Sequence, residues 1–134
     1  LLEGADHPIS YPPMPHAIFT EPQIAGVGQT EQALKQAGTP YVVGKNYLED
    51  SAYGMALRTH TGFVKLLFHQ EDKRLLGAHI IGYQASVMIH QLIAMMTMEA
   101  TLDNLLNMIY VHPALPENVR NAARDADRKF RHMK

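Results

Sequence analysis

The sequence predicts an α+β fold, with an antiparallel sheet covered by helices on one side. Two observations carry the prediction. Strand-like runs and turns, with one short helical stretch among them, occupy the chain from His16 to Ile81, and helical periodicity takes over from Gln84 onward. Strands that lead into a group of helices argue for segregated layers of this kind. A chain of 134 residues suits one domain with one substantial core.

Residues 1 to 14 hold Pro8, Pro12 and Pro13 with little periodicity and read as an extended connector, leaving 15 to 134 as the domain. The opening Leu1-Leu2-Glu3-Gly4 has no initiator Met and resembles the middle of a longer protein. His16 to Val27 predicts a first strand broken around Pro22, which cannot donate to a central ladder. Thr30 is an N-cap candidate, Glu31 favours the positive end of a helix over 31 to 37, and Gly38 supplies its stop. Tyr41 to Tyr47 reads as a strand, and Ser51 to Arg58 is open between a turn and a short helix. Phe63 to Phe68 and Leu75 to Ile81 form a hairpin around the polar tip His69 to Arg74. Gly77 in its second strand signals a bulge or a close backbone approach.

Gln84 to Ala100 places Ala85, Met88, Ile89, Leu92, Met96 and Glu99 at helical spacing, with Ile93 and Met95 off that stripe. Such a helix is expected to be buried on more than one side. Thr101 can cap a further helix running to about Ile109, and a last helix runs from Pro116 toward Phe130.

Composition excludes several functions. Twelve basic and thirteen acidic side chains leave a net charge of −1, which is no footprint for nucleic acid. Apolar stretches are too short and too interrupted to cross a bilayer, and no secretory leader precedes the domain, so a cytoplasmic location is expected. The chain has no cysteine, so thiol–disulfide chemistry would need sulfur from outside it. His60, His69 and His79 lack the short paired spacings of zinc sites, and no metal is expected. Gly26-x-Gly28 lacks the third glycine of a dinucleotide-binding turn, because Glu31 stands there. Met88, Met95, Met96 and Met98 could line a peptide groove, but core packing and a subunit interface are commoner uses of such a stripe. His90 reads as a satisfied interior or interface histidine.

The richest segment is Val111-His112-Pro113-Ala114-Leu115-Pro116-Glu117. Pro113 disfavours helical geometry at His112, and Pro116 fits the first turn of the following helix. Glu117 then sits at that helix's positive end and can fold back toward the imidazole. A histidine held by a carboxylate is a common form of proton-transfer catalyst. Taken alone, a surface histidine beside a capping glutamate is the commoner meaning of this pattern.

Three motifs carry a resemblance. Phe19-Thr20-Glu21-Pro22-Gln23-Ile24-Ala25-Gly26-Val27-Gly28-Gln29-Thr30-Glu31, then Gly62-Phe63-Val64-Lys65-Leu66 with Leu75-Leu76-Gly77-Ala78-His79-Ile80-Ile81-Gly82, and finally His112 to Glu117 stand in order along the chain. Together they resemble the C-terminal dimerisation domain of the pyridine nucleotide-disulfide oxidoreductases, such as dihydrolipoamide dehydrogenase, mycothione reductase and mercuric reductase. Thr20 and Glu21 are read as architecture within the first motif. The resemblance implies the FAD/NAD-linked reductase C-terminal domain fold, a homodimer, and a parent chain whose other domains carry FAD and NAD(P)H. This fragment is expected to bind no cofactor and to be inactive alone. It implies that His112 is the general base and acid, that Glu117 orients it, and that both act in the partner subunit's active site. It further implies a cis bond before Pro113, with backbone of His112 and Pro113 against the partner's FAD, and core and dimer contacts for the methionine-rich helix.

Two departures qualify this. Ala-Leu-Pro replaces the commoner Thr-Leu-Ser between His112 and Glu117, a variant similar to mycothione reductases and outlying dihydrolipoamide dehydrogenases. The terminal cysteine pair of mercuric reductases is missing, with Lys134 a candidate terminus, which argues against metal-ion reduction. Two rivals stand beside the catalytic reading. One is a purely structural oligomerisation module, and the other is a peptide-binding domain built on the methionine-rich helix.

Overall fold

The computed structural model describes residues 11–133, so residues 1–10 of the expected connector lie outside it. Five antiparallel strands form one sheet in the order β1-β2-β5-β4-β3. β1 (His16–Ile18) and β2 (Ile24–Gly28) pair with each other, His16 opposite Gly26 and Ile18 opposite Ile24. The run expected as one broken strand is therefore a two-strand hairpin. Pro22 has no N–H to give a ladder, the Glu21–Pro22 bond is cis, and the Thr20 hydroxyl donates to the Pro22 carbonyl at 2.8 Å across the reversal.

α1 (Glu31–Ala37) follows the sequence signals closely. Thr30 Oγ1 accepts the Ala33 N–H at 3.1 Å, and Gly38 ends the helix in the left-handed region at φ 66°. β3 (Tyr41–Tyr47) leads into a 3₁₀ turn at Leu48–Asp50 and then α2 (Ala52–Ala56), whose cap is the buried Ser51. The ambiguous stretch is thus a short helix. β4 (Phe63–His69) and β5 (Leu75–Ile81) make the expected hairpin, with a register shift at Leu67/Phe68. Gly77 faces Leu67 at that shift, and a Cβ there would lie 2.0 Å from the Gln29 carbonyl oxygen. Both expectations for this glycine are met.

α3 (Ala85–Thr97) and α4 (Leu102–Asn107) end earlier than their patterns suggest. Glu99 adopts φ 52°, and Ala100 N–H turns back to the Met95 carbonyl at 2.9 Å, so Met98, Glu99 and Ala100 terminate α3. Met108 is extended and stops α4 before Ile109. α3 buries Ala85, Met88, Ile89 and Leu92, with Ile93, Met95 and Met96 partly buried against the same core, and leaves Val87 exposed. His90 is likewise exposed, which overturns its interior reading, and its Nδ1 donates to the Ser86 carbonyl at 3.0 Å.

α5 (Glu117–His132) is the longest element and crosses β3 and β4, while α3 lies on β2 and β5 and α4 packs on α5. Val64, Leu66 and Phe68 meet Ala78, Ile80, Leu92, Leu105 and Val119 in a single core. Side chains alternate across a strand, so Lys65 projects to the opposite face, where it pairs with Glu31 at 2.8 Å. The approach of α5 to β3 is close because Ala122, Ala123 and Ala126 are small. A Cβ on Gly44 would come 2.1 Å from the Ala122 carbonyl oxygen. α5 also satisfies the free edge of β3: Asp125 Oδ2 accepts the Lys45 N–H at 3.0 Å, and Lys129 Nζ donates to the Val43 carbonyl at 2.7 Å. This clamp ties the second half of α5 to β3.

Candidate functional site

The chain between α4 and α5 is anchored at both ends. Tyr110 donates its hydroxyl proton to the Leu105 carbonyl at 3.1 Å, and Leu115 is buried in the core. Between them Val111, His112 and Pro113 are exposed, as is Ile109 just before Tyr110. The His112–Pro113 bond is cis. Pro116 starts α5, and the Ala114 and Leu115 carbonyls accept the Glu117 and Asn118 N–H groups at 3.2 and 3.0 Å.

Glu117 folds back along this turn. Its carboxylate oxygens lie 3.1 and 3.0 Å from His112 Nδ1, so the two residues singled out by spacing do meet. Oε2 also accepts the Ala114 N–H at 3.1 Å, and Oε1 accepts Arg120 Nη2 at 2.9 Å. The exposures are opposite: the Glu117 side chain is 6% exposed and the His112 side chain 70%. The Ala114 N–H, and next the His112 ring, hold the carboxyl below its ordinary range. Glu117 is therefore an anion near neutrality, and an Nδ1–H donated to it leaves Nε2 as the free nitrogen of an outward-facing ring. Such a ring can take a proton at Nε2 while its new charge faces a fixed carboxylate.

Beneath the pair lies a polar foundation that motif spacing alone does not announce. Asn118 is fully buried; its Nδ2 donates to Ser51 Oγ at 3.1 Å and to the Leu115 carbonyl at 2.9 Å. Its Oδ1 accepts from Asn46 Nδ2 at 2.8 Å, so β3, the α2 cap and the site turn are joined through one amide. Arg120 stacks over Tyr110, with Cζ 5.6 Å from the ring centroid. The remaining histidines considered as ligands have other partners: His69 bonds Asp72, His79 bonds the Gln29 carbonyl, and His60 lies 3.7 Å from Glu49. Among the described residues no three histidine or acidic side chains converge as a metal site.

The family model "Pyridine nucleotide-disulphide oxidoreductase, dimerisation domain" matches residues 14–123. The chain belongs to this family. Its dimerisation domain is 46% identical over 110 residues to the mycothione reductase of Mycobacterium tuberculosis, covering 81% of this chain and 24% of that protein. It is 31% identical over 134 residues to dihydrolipoyl dehydrogenase 3 of Haloarcula marismortui, covering 100% of this chain and 28% of that protein. LpdA from Mycobacterium tuberculosis has the same fold, with a TM-score of 0.81 at 23% identity over 88% of this chain and 26% of that one. The chain thus spans only about a quarter of the length of the relatives it matches. Among the described residues, no helix is long and apolar enough to cross a membrane.

Proposed function

We propose that this dimerisation domain, with residues 1–14 as its connector, belongs to a cytoplasmic, FAD-dependent, NAD(P)H-linked disulfide oxidoreductase. It lends His112 and Glu117 to the thiol–disulfide site of the partner subunit in a homodimer. The observation that carries this reading is an exposed imidazole fixed on a buried carboxylate, on a chain without cysteine. The flavin and nicotinamide would supply electron transfer from the parent's other domains. His112 and Pro113 are both exposed, as backbone facing a partner-bound flavin requires.

The proton step uses this chain's own atoms. The Nε2 lone pair takes the proton of a thiol; the S–H bond breaks, an N–H bond forms, and sulfur keeps the pair as a thiolate. Only the thiolate attacks a disulfide. Glu117 stabilises the imidazolium, which then returns the proton to the departing thiolate. Without the partner's sulfur the fragment turns over nothing. General acid–base catalysis of this kind is worth ~10²–10⁴-fold. His112→Gln in the full-length parent should lower turnover by that factor while the dimer and its bound flavin persist. Wild-type turnover in that variant would leave a purely structural oligomerisation module.

A further inference from the structure

We propose that Arg120 is a positioning residue for His112, acting through Glu117; the inference rests on the proton-transfer reading above. Nδ1 lies almost midway between the two carboxylate oxygens, at 3.1 and 3.0 Å. That symmetry needs an outside partner on each oxygen, because a carboxylate held on one side would rotate to give the imidazole a single short bond. Ala114 N–H holds Oε2 and Arg120 Nη2 holds Oε1. Arg120 is itself aligned by the Tyr110 ring, which the Leu105 carbonyl anchors at the end of α4.

The ordinary alternative is an intrahelical pair three residues apart that only steadies the first turn of α5. Such pairs are usually exposed at both ends, whereas here the side chains are 6% and 23% exposed. The Arg120 Nε is buried with no hydrogen-bond partner among the described residues. Burying an unmet N–H opposes stability, so this guanidinium is placed by the carboxylate and the ring at the expense of its own hydrogen bonding. Arg120 also shares the charge of Glu117. With it in place the carboxylate orients the ring without giving its whole charge to the imidazolium. Among the described residues, Arg120 is the only arginine or lysine within ion-pair distance of Glu117, His112 adds a positive charge only when it holds a second proton, and Asn118, Asn46 and Ser51 below are neutral.

The test uses the full-length parent with Arg120→Gln, Arg120→Lys and His112→Gln. In Arg120→Gln, kcat should fall about tenfold through loosened ring geometry while KM changes less than about twofold. The acidic limb of its kcat–pH profile should move to higher pH, since the full carboxylate charge now favours the imidazolium. Arg120→Lys, which keeps the charge but not the planar fork, should return the limb toward wild type with kcat only partly recovered. An unmoved limb and near-wild-type kcat in Arg120→Gln, with only a lower melting temperature, would overturn the positioning role. If Arg120→Gln does not fold, Arg120→Lys decides: a reduced kcat supports the role and a wild-type kcat removes it. Wild-type turnover in His112→Gln would instead condemn the underlying catalytic reading.

Discussion

The β4–β5 tip and the turn before α5 each hold a histidine, a carboxylate, an arginine and a backbone N–H in nearly the same bonding pattern. At the tip, Asp72 accepts from His69 Nδ1 at 3.0 Å, Arg74 Nε at 2.7 Å and Arg74 N–H at 3.0 Å. Before α5, Glu117 accepts from His112 at 3.0 Å, Arg120 at 2.9 Å and Ala114 N–H at 3.1 Å. The first cause lowering each carboxyl is the backbone N–H. Burial runs in opposite directions. At the tip the ring is 20% exposed and the carboxylate 44%, whereas before α5 the ring is 70% exposed and the carboxylate 6%. An exposed carboxylate can exchange its imidazole for water, so the tip group does no more than close a turn. A buried carboxylate has no such exchange, so its orientation passes to the ring, and the ring faces outward to whatever binds there. Bonding pattern alone does not present an imidazole nitrogen to a reactant; which member faces solvent does.

The sharpest way to break this comparison is to neutralise the two histidines in parallel. In the full-length parent, His69→Gln should leave turnover within about twofold, against the ~10²–10⁴-fold loss expected for His112→Gln. Equal losses, measured as steady-state turnover with flavin content matched, would show that exposure does not separate the two groups.

A second, smaller effect concerns what lies underneath. The turn before α5 rests on Asn118, whose amide meets Ser51, Leu115 and Asn46, whereas Asp72 has only neighbours on its own hairpin. Asn118→Ala strands these buried partners and should cost about 1–3 kcal/mol in denaturant unfolding of this chain. Asp72→Ala should leave the unfolding midpoint nearly in place. If Asn118→Ala is neutral instead, the foundation is redundant and the site is held by its own loop.

The same contrast explains what was readable from sequence. α1 was legible because Thr30, Glu31 and Gly38 each act within a few residues of the helix they bound. The β4–β5 hairpin was legible from two apolar runs around a polar tip. The end of α3 was not, since Glu99 takes a left-handed conformation with no glycine to announce it. The β1–β2 reversal hid in what looked like one interrupted strand. His112 and Glu117 were legible because two prolines constrain the path between them. Asn118 joins Ser51 and Asn46 only after β3, α2 and α5 have packed, so nothing local marks it. Arg120 did carry a signal, its three-residue spacing from Glu117, but only the buried carboxylate gives that spacing meaning.

The smallest effect is the acid dependence of stability, and it sharpens the comparison because both carboxyls move in the same direction. Glu117 and Asp72 each have folded values below their ordinary ones of 4.5 and 3.8. A lowered carboxyl contributes stability that is fully present above its unfolded value and is lost as pH falls through its folded one. Glu117→Gln should therefore be less stable than wild type near neutrality and converge on it below the ordinary carboxylate range. Asp72→Asn should show the same convergence with a smaller gap, because water and ions reach its carboxylate. Salt separates them further. At about 1 M, where the Debye length is ~3 Å, the Asp72 gap should close while the Glu117 gap persists. Melting curves of the three proteins from neutral to acid pH, at low and high salt, would read this directly. Equal salt sensitivity of the two gaps would mean that solvent reaches Glu117 as freely as it reaches the hairpin tip.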